Sequence, residues 1–321
     1  MDEVNKFQTF TILGMVLIGI LLGQVDIISM NAEYLITPAL MIMLFLVFLQ
    51  VPISEIGKSF KNIKFTTTAV IINFIITPIV IFILGRTFLS SNPEILIGFI
   101  MLMVTPCTDW YLIFTGMAKG NVALGSSILP LNLILQLLLM PIYILLIGGA
   151  SINIEFIALL KGVIFTLIIP LVAATIIRHI LIVRYDDEFF TTKITPKACD
   201  FQDYFLDLAI IAMFASQGKI LLANLEVLVL LLIPIILFFI ITFIIGRIAG
   251  RIINLNYSDS AALSLTTMAR NSPIAFSIAV TSFPDKPLIA LALIIGPLIE
   301  LPVLFIVARV LLIIRSRQDL K

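Results

Sequence analysis

The chain has 321 residues, of which 61% are hydrophobic and 12% charged; mean hydropathy is +1.20 and net charge +1. A soluble domain carries about 25% charged residues, so there are too few polar side chains here to cover a water-facing surface, and a soluble enzyme is excluded. The near-zero charge leaves no basic surface to neutralise phosphates, which excludes nucleic acid as a partner and leaves the lipid bilayer as the implied solvent.

A helix needs about 20 apolar residues to cross a bilayer. Apolar runs fall at 7–25, 35–52, 65–89, 95–118 and 121–149, then at 157–181, 201–218, 223–249, 259–283 and 287–314. These runs are too long for strands and apolar all round, which predicts an all-α polytopic membrane protein of ten transmembrane helices. The first residues, Met1 to Lys6, lack the basic start of a signal peptide, so the first run is expected to be retained. Two cysteines, Cys107 and Cys199, make no disulfide framework. One histidine, His179, and scattered carboxylates make no metal site of the usual ligand set, and no cofactor is expected.

Lysine and arginine set the orientation. With the N-terminus inside, 15 of the 20 fall in cytoplasmic segments. Arg86, Lys161, Lys219 and Lys286 fall outside, and Arg270 lies within a span. This bias puts both termini in the cytoplasm and the protein in the cell membrane. The longest polar stretch, Arg184–Gln202, reads as a cytoplasmic loop between two halves, 1–150 and 151–321, of five spans each.

Shifting the chain by 167 residues superimposes Pro106, Lys119 and Pro130 on Pro273, Lys286 and Pro297. Five is odd, so the second half enters the membrane from the opposite side, which is the pattern of an inverted repeat in secondary transporters. Pro106 and Pro273 each sit mid-span among polar residues: Thr105, Cys107, Thr108 and Asp109 in one case, Arg270, Asn271 and Ser272 in the other. Proline removes a backbone donor and disfavours helix before it. Spans four and nine are therefore expected to be broken near the midplane, and Pro297 marks a further break in span ten. The simpler alternative is a proline kink at each place.

Charge at the bilayer centre costs at least ~2.5–3.5 kcal/mol. Three ionisable residues lie that deep: Asp109, Arg270 and Glu300. Arg270 does not deprotonate, so an Asp109–Arg270 ion pair is expected where the broken helices cross, either pinning the crossing or meeting the substrate. Glu300 has no cationic partner in sequence. It either carries a coupling proton or stays neutral on the backbone of its break, and Asp109 is the other candidate for coupling. Asn132 and Gln136 are placed to face the same cavity. Cys107, beside a helix start, is either a soft ligand or a small buried hydrophobe.

Together, Thr105-Pro106-Cys107-Thr108-Asp109-Trp110, Ala118-Lys119-Gly120-Asn121, Ala269-Arg270-Asn271-Ser272-Pro273 and Ile295-Gly296-Pro297-Leu298-Ile299-Glu300-Leu301-Pro302-Val303 resemble the bile acid:sodium symporter superfamily, and within it the arsenical-resistance branch. The resemblance implies two inverted five-helix repeats, a core of spans 3–5 and 8–10 with spans four and nine unwound and crossing, and a panel of spans 1, 2, 6 and 7. It implies a transporter, not an enzyme, that exports arsenite in exchange for protons, with Cys107 meeting arsenic. The substrate site would comprise Cys107, Thr108, Asp109, Arg270, Asn271 and Ser272. The branch has an arginine before that cysteine and a glutamate in span nine; this chain has Pro106 and Ala275 there, with Asp109 and Arg270 in exchange. The sodium-coupled branch has sodium ligands where this chain has Thr266 and Arg270, and a fixed cation there opposes a bound one. A symporter of small organic anions is the alternative implied.

Overall fold

The computed structural model describes residues 14–50, 62–108, 110–148, 157, 161–162 and 164–319. Helix α1 covers 14–22 and α2 Asp26–Gln50. Helix α3 spans Ile63–Phe88, with one wider π-turn at Ile72–Ile76. Then come α4 (Pro93–Val104), α5 (Trp110–Met117) and α6 (Val122–Gly148). Helix α7 covers 164–185 and α8 Asp187–Ala223. The chain continues with α9 (Leu225–Ile252), α10 (Tyr257–Met268), α11 (Ser272–Ser282) and α12 (Pro287–Asp319). No strand occurs among the described residues.

Six of these helices are long and apolar enough to cross a membrane: α2, α3, α6, α8, α9 and α12. Their outer faces are apolar as well. On α9, Val229, Ile233, Ile240, Ile244 and Ile248 all point outward, a surface that suits lipid and not water. The remaining apolar runs are divided. Residues 95–118 become α4 and α5, and 259–283 become α10 and α11, with extended chain between the halves.

The helices pack as two sets. Helix α2 lies most extensively along α8 and also against α7. Two hydrogen bonds tie the ends of this set together: Gln50 Nε2 donates to Gln202 Oε1 at 2.8 Å, and Arg178 Nη1 to the Leu49 carbonyl at 2.7 Å. In the second set α4 lies on α12, α9 on α10, and α11 on α12. The broken helices are at its centre: α10 and α11 are buried along nearly their whole length, as is α4.

Two expectations from sequence are corrected here. Arg184–Gln202 is not a loop. After a turn at Asp186, whose φ is 75°, the chain is helical again from Asp187. Asp186 caps the new helix by accepting from the Phe189 N–H at 2.7 Å. Phe190 is buried under the Arg178 guanidinium, 4.5 Å from its ring centre, and this anchors a polar segment as helix. Pro297 does not break span ten, because α12 runs through both Pro297 and Pro302. A proline leaves the carbonyl four residues earlier without its helical donor. For Pro297 that carbonyl belongs to Leu293, and the Ser272 hydroxyl donates to it. A neighbouring side chain thus repairs the ladder, as membrane helices allow.

Close approach of α4 and α12 depends on Gly98. A Cβ there would lie 2.6 Å from the Ala292 Cβ and 2.7 Å from the Ile289 carbonyl oxygen. Gly98→Ala should force the two helices apart and cost about 1–3 kcal/mol, seen as a lower thermal midpoint of the purified protein. Gly14→Ala, whose added carbon meets nothing within 4 Å among the described residues beyond its own helix, should not lower the midpoint.

Candidate functional site

The breaks in the two divided spans meet each other. Pro106 and Arg270 form an antiparallel bridge. The Cys107 N–H donates to the Ala269 carbonyl at 2.9 Å, and the Asn271 N–H to the Thr105 carbonyl at 2.8 Å. In this geometry the bridge uses the N–H groups that follow Pro106 and Arg270, so the missing donor of Pro106 costs nothing. Unwound backbone in a membrane must find partners inside the protein, and here each break supplies them to the other.

The freed helix ends are also closed. The Thr105 hydroxyl reaches the Met101 and Leu102 carbonyls, both at 3.0 Å, at the end of α4. Asn271 caps α11: its Oδ1 accepts from the Ile274 N–H at 3.1 Å, while its Nδ2 donates to Thr108 Oγ1 at 2.9 Å across the crossing. Pro273 lies in the first turn of α11, where a helix has no use for the absent N–H.

Arg270 closes the end of α10. Only 1% of it is exposed. Its Nε donates to the Met268 carbonyl at 3.2 Å and its Nη2 to the Thr267 carbonyl, placing the cation on the negative end of the helix dipole. Nη2 also lies 3.4 Å from Asn73 Oδ1, in the π-turn of α3, and the guanidinium carbon sits 5.0 Å from the centre of the Phe238 ring on α9. Nη1 has no hydrogen-bond partner among the described residues. Asp109, the partner expected from sequence, lies outside the described residues, and the expected ion pair lies outside them with it.

Glu300 enters from α12, also 1% exposed. Its Oε1 accepts the Arg270 backbone N–H at 2.7 Å, and Oε2 has no hydrogen-bond partner among the described residues. This contact has no signature in sequence, since the acceptor pairs with the main chain and not with the opposite charge. Asn132 and Gln136 are buried in α6, their side-chain polar atoms without partners among the described residues, and they do not line the cavity described next.

A narrow cavity opens between the two helix sets beside the crossing. Cys107, Trp110, Arg270, Asn271 and Pro273 line one wall, and Met43 of α2 and Leu206 of α8 the other. Of the residues expected at the substrate site, Cys107, Arg270 and Asn271 reach this cavity. Thr108 is buried and bonded to Asn271, and Ser272 is committed to the Leu293 carbonyl. Met43 gave no signal in sequence, being one apolar residue in an apolar run.

Apolar helices with two mutually paired breaks beside a buried cation define a multi-pass membrane protein of the transporter class. The chain belongs to the sodium bile acid symporter family, whose model matches residues 37–224. It is 26% identical over 247 residues to an arsenical-resistance protein Acr3 of Corynebacterium glutamicum, a match covering 74% of this chain and 66% of that relative. It is 21% identical to the arsenical-resistance protein Acr3 of Alkaliphilus metalliredigens, over 95% of this chain and 91% of the relative. An uncharacterized transporter of Synechocystis is 22% identical over 95% of this chain and 88% of its own.

The Glu300 contact gives a stability test. Glu300→Leu strands the buried Arg270 N–H and should cost about 1–3 kcal/mol. Glu300→Gln keeps an acceptor in place and should retain the wild-type thermal midpoint.

Proposed function

We propose that this chain is a secondary active transporter that exports arsenite across the cell membrane in exchange for protons. The observation that carries the reading is the placement of Cys107 and Arg270 on one wall of a cavity, at the crossing of two broken helices and between two helix sets. The two Acr3 relatives supply the substrate class.

In this reading the fold is ten spans in two inverted repeats, 1–150 and 151–321, with both termini cytoplasmic. The helix bounds support it. Tyr257–Met268 begins and ends 164 residues after Pro93–Val104. Pro106 and Arg270 are the same distance apart, and the two bridge hydrogen bonds exchange under that shift. The register is 164 and not the 167 read from the prolines, because the prolines do different jobs: Pro106 lies in the bridge and Pro273 in the helix after it. The set containing α2, α7 and α8 is the panel; the set around the crossing is the core, which moves against it.

Arsenite is neutral at physiological pH, so its uphill export needs a coupled ion. Arg270 already places a cation on the carbonyl end of α10, and a second cation there is repelled; this disfavours sodium. Glu300 supplies the proton-carrying group, with Oε2 unpartnered next to the crossing. Cys107 supplies the thiol that meets arsenic.

The test is arsenite uptake into everted membrane vesicles, in sodium-free buffer with an acid interior. The wild type should accumulate arsenite, a protonophore should abolish the accumulation, and Cys107→Ser should lose it while the protein remains folded. Uptake no greater than in vesicles lacking the protein would overturn the reading, and uptake of a carboxylate in its place would install the organic-anion alternative.

A further inference from the structure

The cavity has a second sulfur, and it comes from the other helix set. Met43 lies on α2, 1% exposed, and lines the cavity opposite Cys107. Its neighbours along the same face of α2, Ile36, Ala39, Leu40 and Leu44, are aliphatic and buried. Packing alone asks only for another side chain of that size.

The lining chemistry asks for more. Among the described residues, the cavity lining carries a thiol at Cys107, a thioether at Met43 and a guanidinium at Arg270, and no carboxylate or imidazole. The guanidinium retains one fully buried nitrogen, Nη1, without a partner among the described residues. Asn271 has both side-chain atoms engaged within the protein. A solute that answers all three groups has a soft, thiophilic centre carrying oxygen substituents: the centre meets the two sulfurs and an oxygen accepts from Nη1. A carboxylate would answer the guanidinium and leave the sulfurs idle.

We propose that Met43 is a substrate contact and specificity determinant, the soft ligand that α2 presents to the cavity that Cys107 also lines. This rests on the reading of the cavity as the substrate site. Thioether and thiolate groups both favour soft ions, and a thioether adapts its shape easily. Because Met43 and Cys107 belong to different helix sets, a solute touching both is held only while those sets stand in the arrangement seen here. Release then follows when they separate.

The chain has one tryptophan, Trp110, and it lines this cavity, so its fluorescence reports occupancy directly. The purified full chain, in a Cys199→Ala background to remove the exposed thiol, is titrated with arsenite, antimonite and silver ion. The wild type should give a saturable change. Met43→Leu conserves volume, which cores tolerate well, and should weaken binding roughly tenfold, the equivalent of ~1.4 kcal/mol. Met43→Cys should bind as tightly as wild type or tighter. Should the leucine variant fail to fold, Met43→Cys against Met43→Ser makes the same comparison at equal size, with only the cysteine retaining affinity. Equal arsenite binding by wild type and Met43→Leu would overturn the role of Met43 and leave the arsenite reading standing. A Met43-dependent response to antimonite or silver, with none to arsenite, would keep Met43 and overturn the arsenite reading. No response to any of the three would overturn both.

Discussion

The structure depends on one backbone pairing. In a bilayer an interrupted helix exposes N–H and C=O groups that lipid cannot satisfy, at several kcal/mol each. Two apolar segments of this chain are interrupted, and each interruption is tolerated only because the other lies beside it. The Cys107–Ala269 and Asn271–Thr105 hydrogen bonds join the two breaks about a local twofold relation. Everything placed at the crossing follows from that junction: the thiol beside it, the guanidinium that closes α10, and the carboxyl that takes the Arg270 N–H.

Arg270 is the point where fold and chemistry meet. Its main chain belongs to the bridge, its N–H to Glu300, and its guanidinium to the carbonyls of Thr267 and Met268. These contacts spread a buried charge over oxygens and the Phe238 ring without any carboxylate among the described residues bonding to its guanidinium. One nitrogen has no partner among the described residues, and the residue lines the same cavity as Cys107.

Much of this was legible in sequence because the bilayer enforces it. Long apolar runs have few alternatives to helix, and polar residues around Pro106 and Pro273 pointed to unwound chain over a simple kink once the two halves were seen to match. What stayed hidden depends on tertiary partners. The role of Pro297 could not be read, since the Ser272 hydroxyl that repairs its missing hydrogen bond comes from another helix. Glu300 was placed at depth but not against Arg270, because a backbone amide carries no sequence signature. Arg184–Gln202 looked like a loop by polarity alone, until Phe190 showed where its helix is anchored. Met43 was indistinguishable from its apolar neighbours until the cavity set it opposite Cys107.

The central claim is that the crossing faces an aqueous path which a substrate can enter. The rate at which a small, membrane-impermeant thiol reagent modifies Cys107 tests this directly, in the Cys199→Ala background and in both right-side-out and everted vesicles. The account predicts modification from at least one side, slowed when arsenite is present. A thiol that stays unmodified from both sides in folded protein, or a rate that arsenite leaves unchanged, would contradict it.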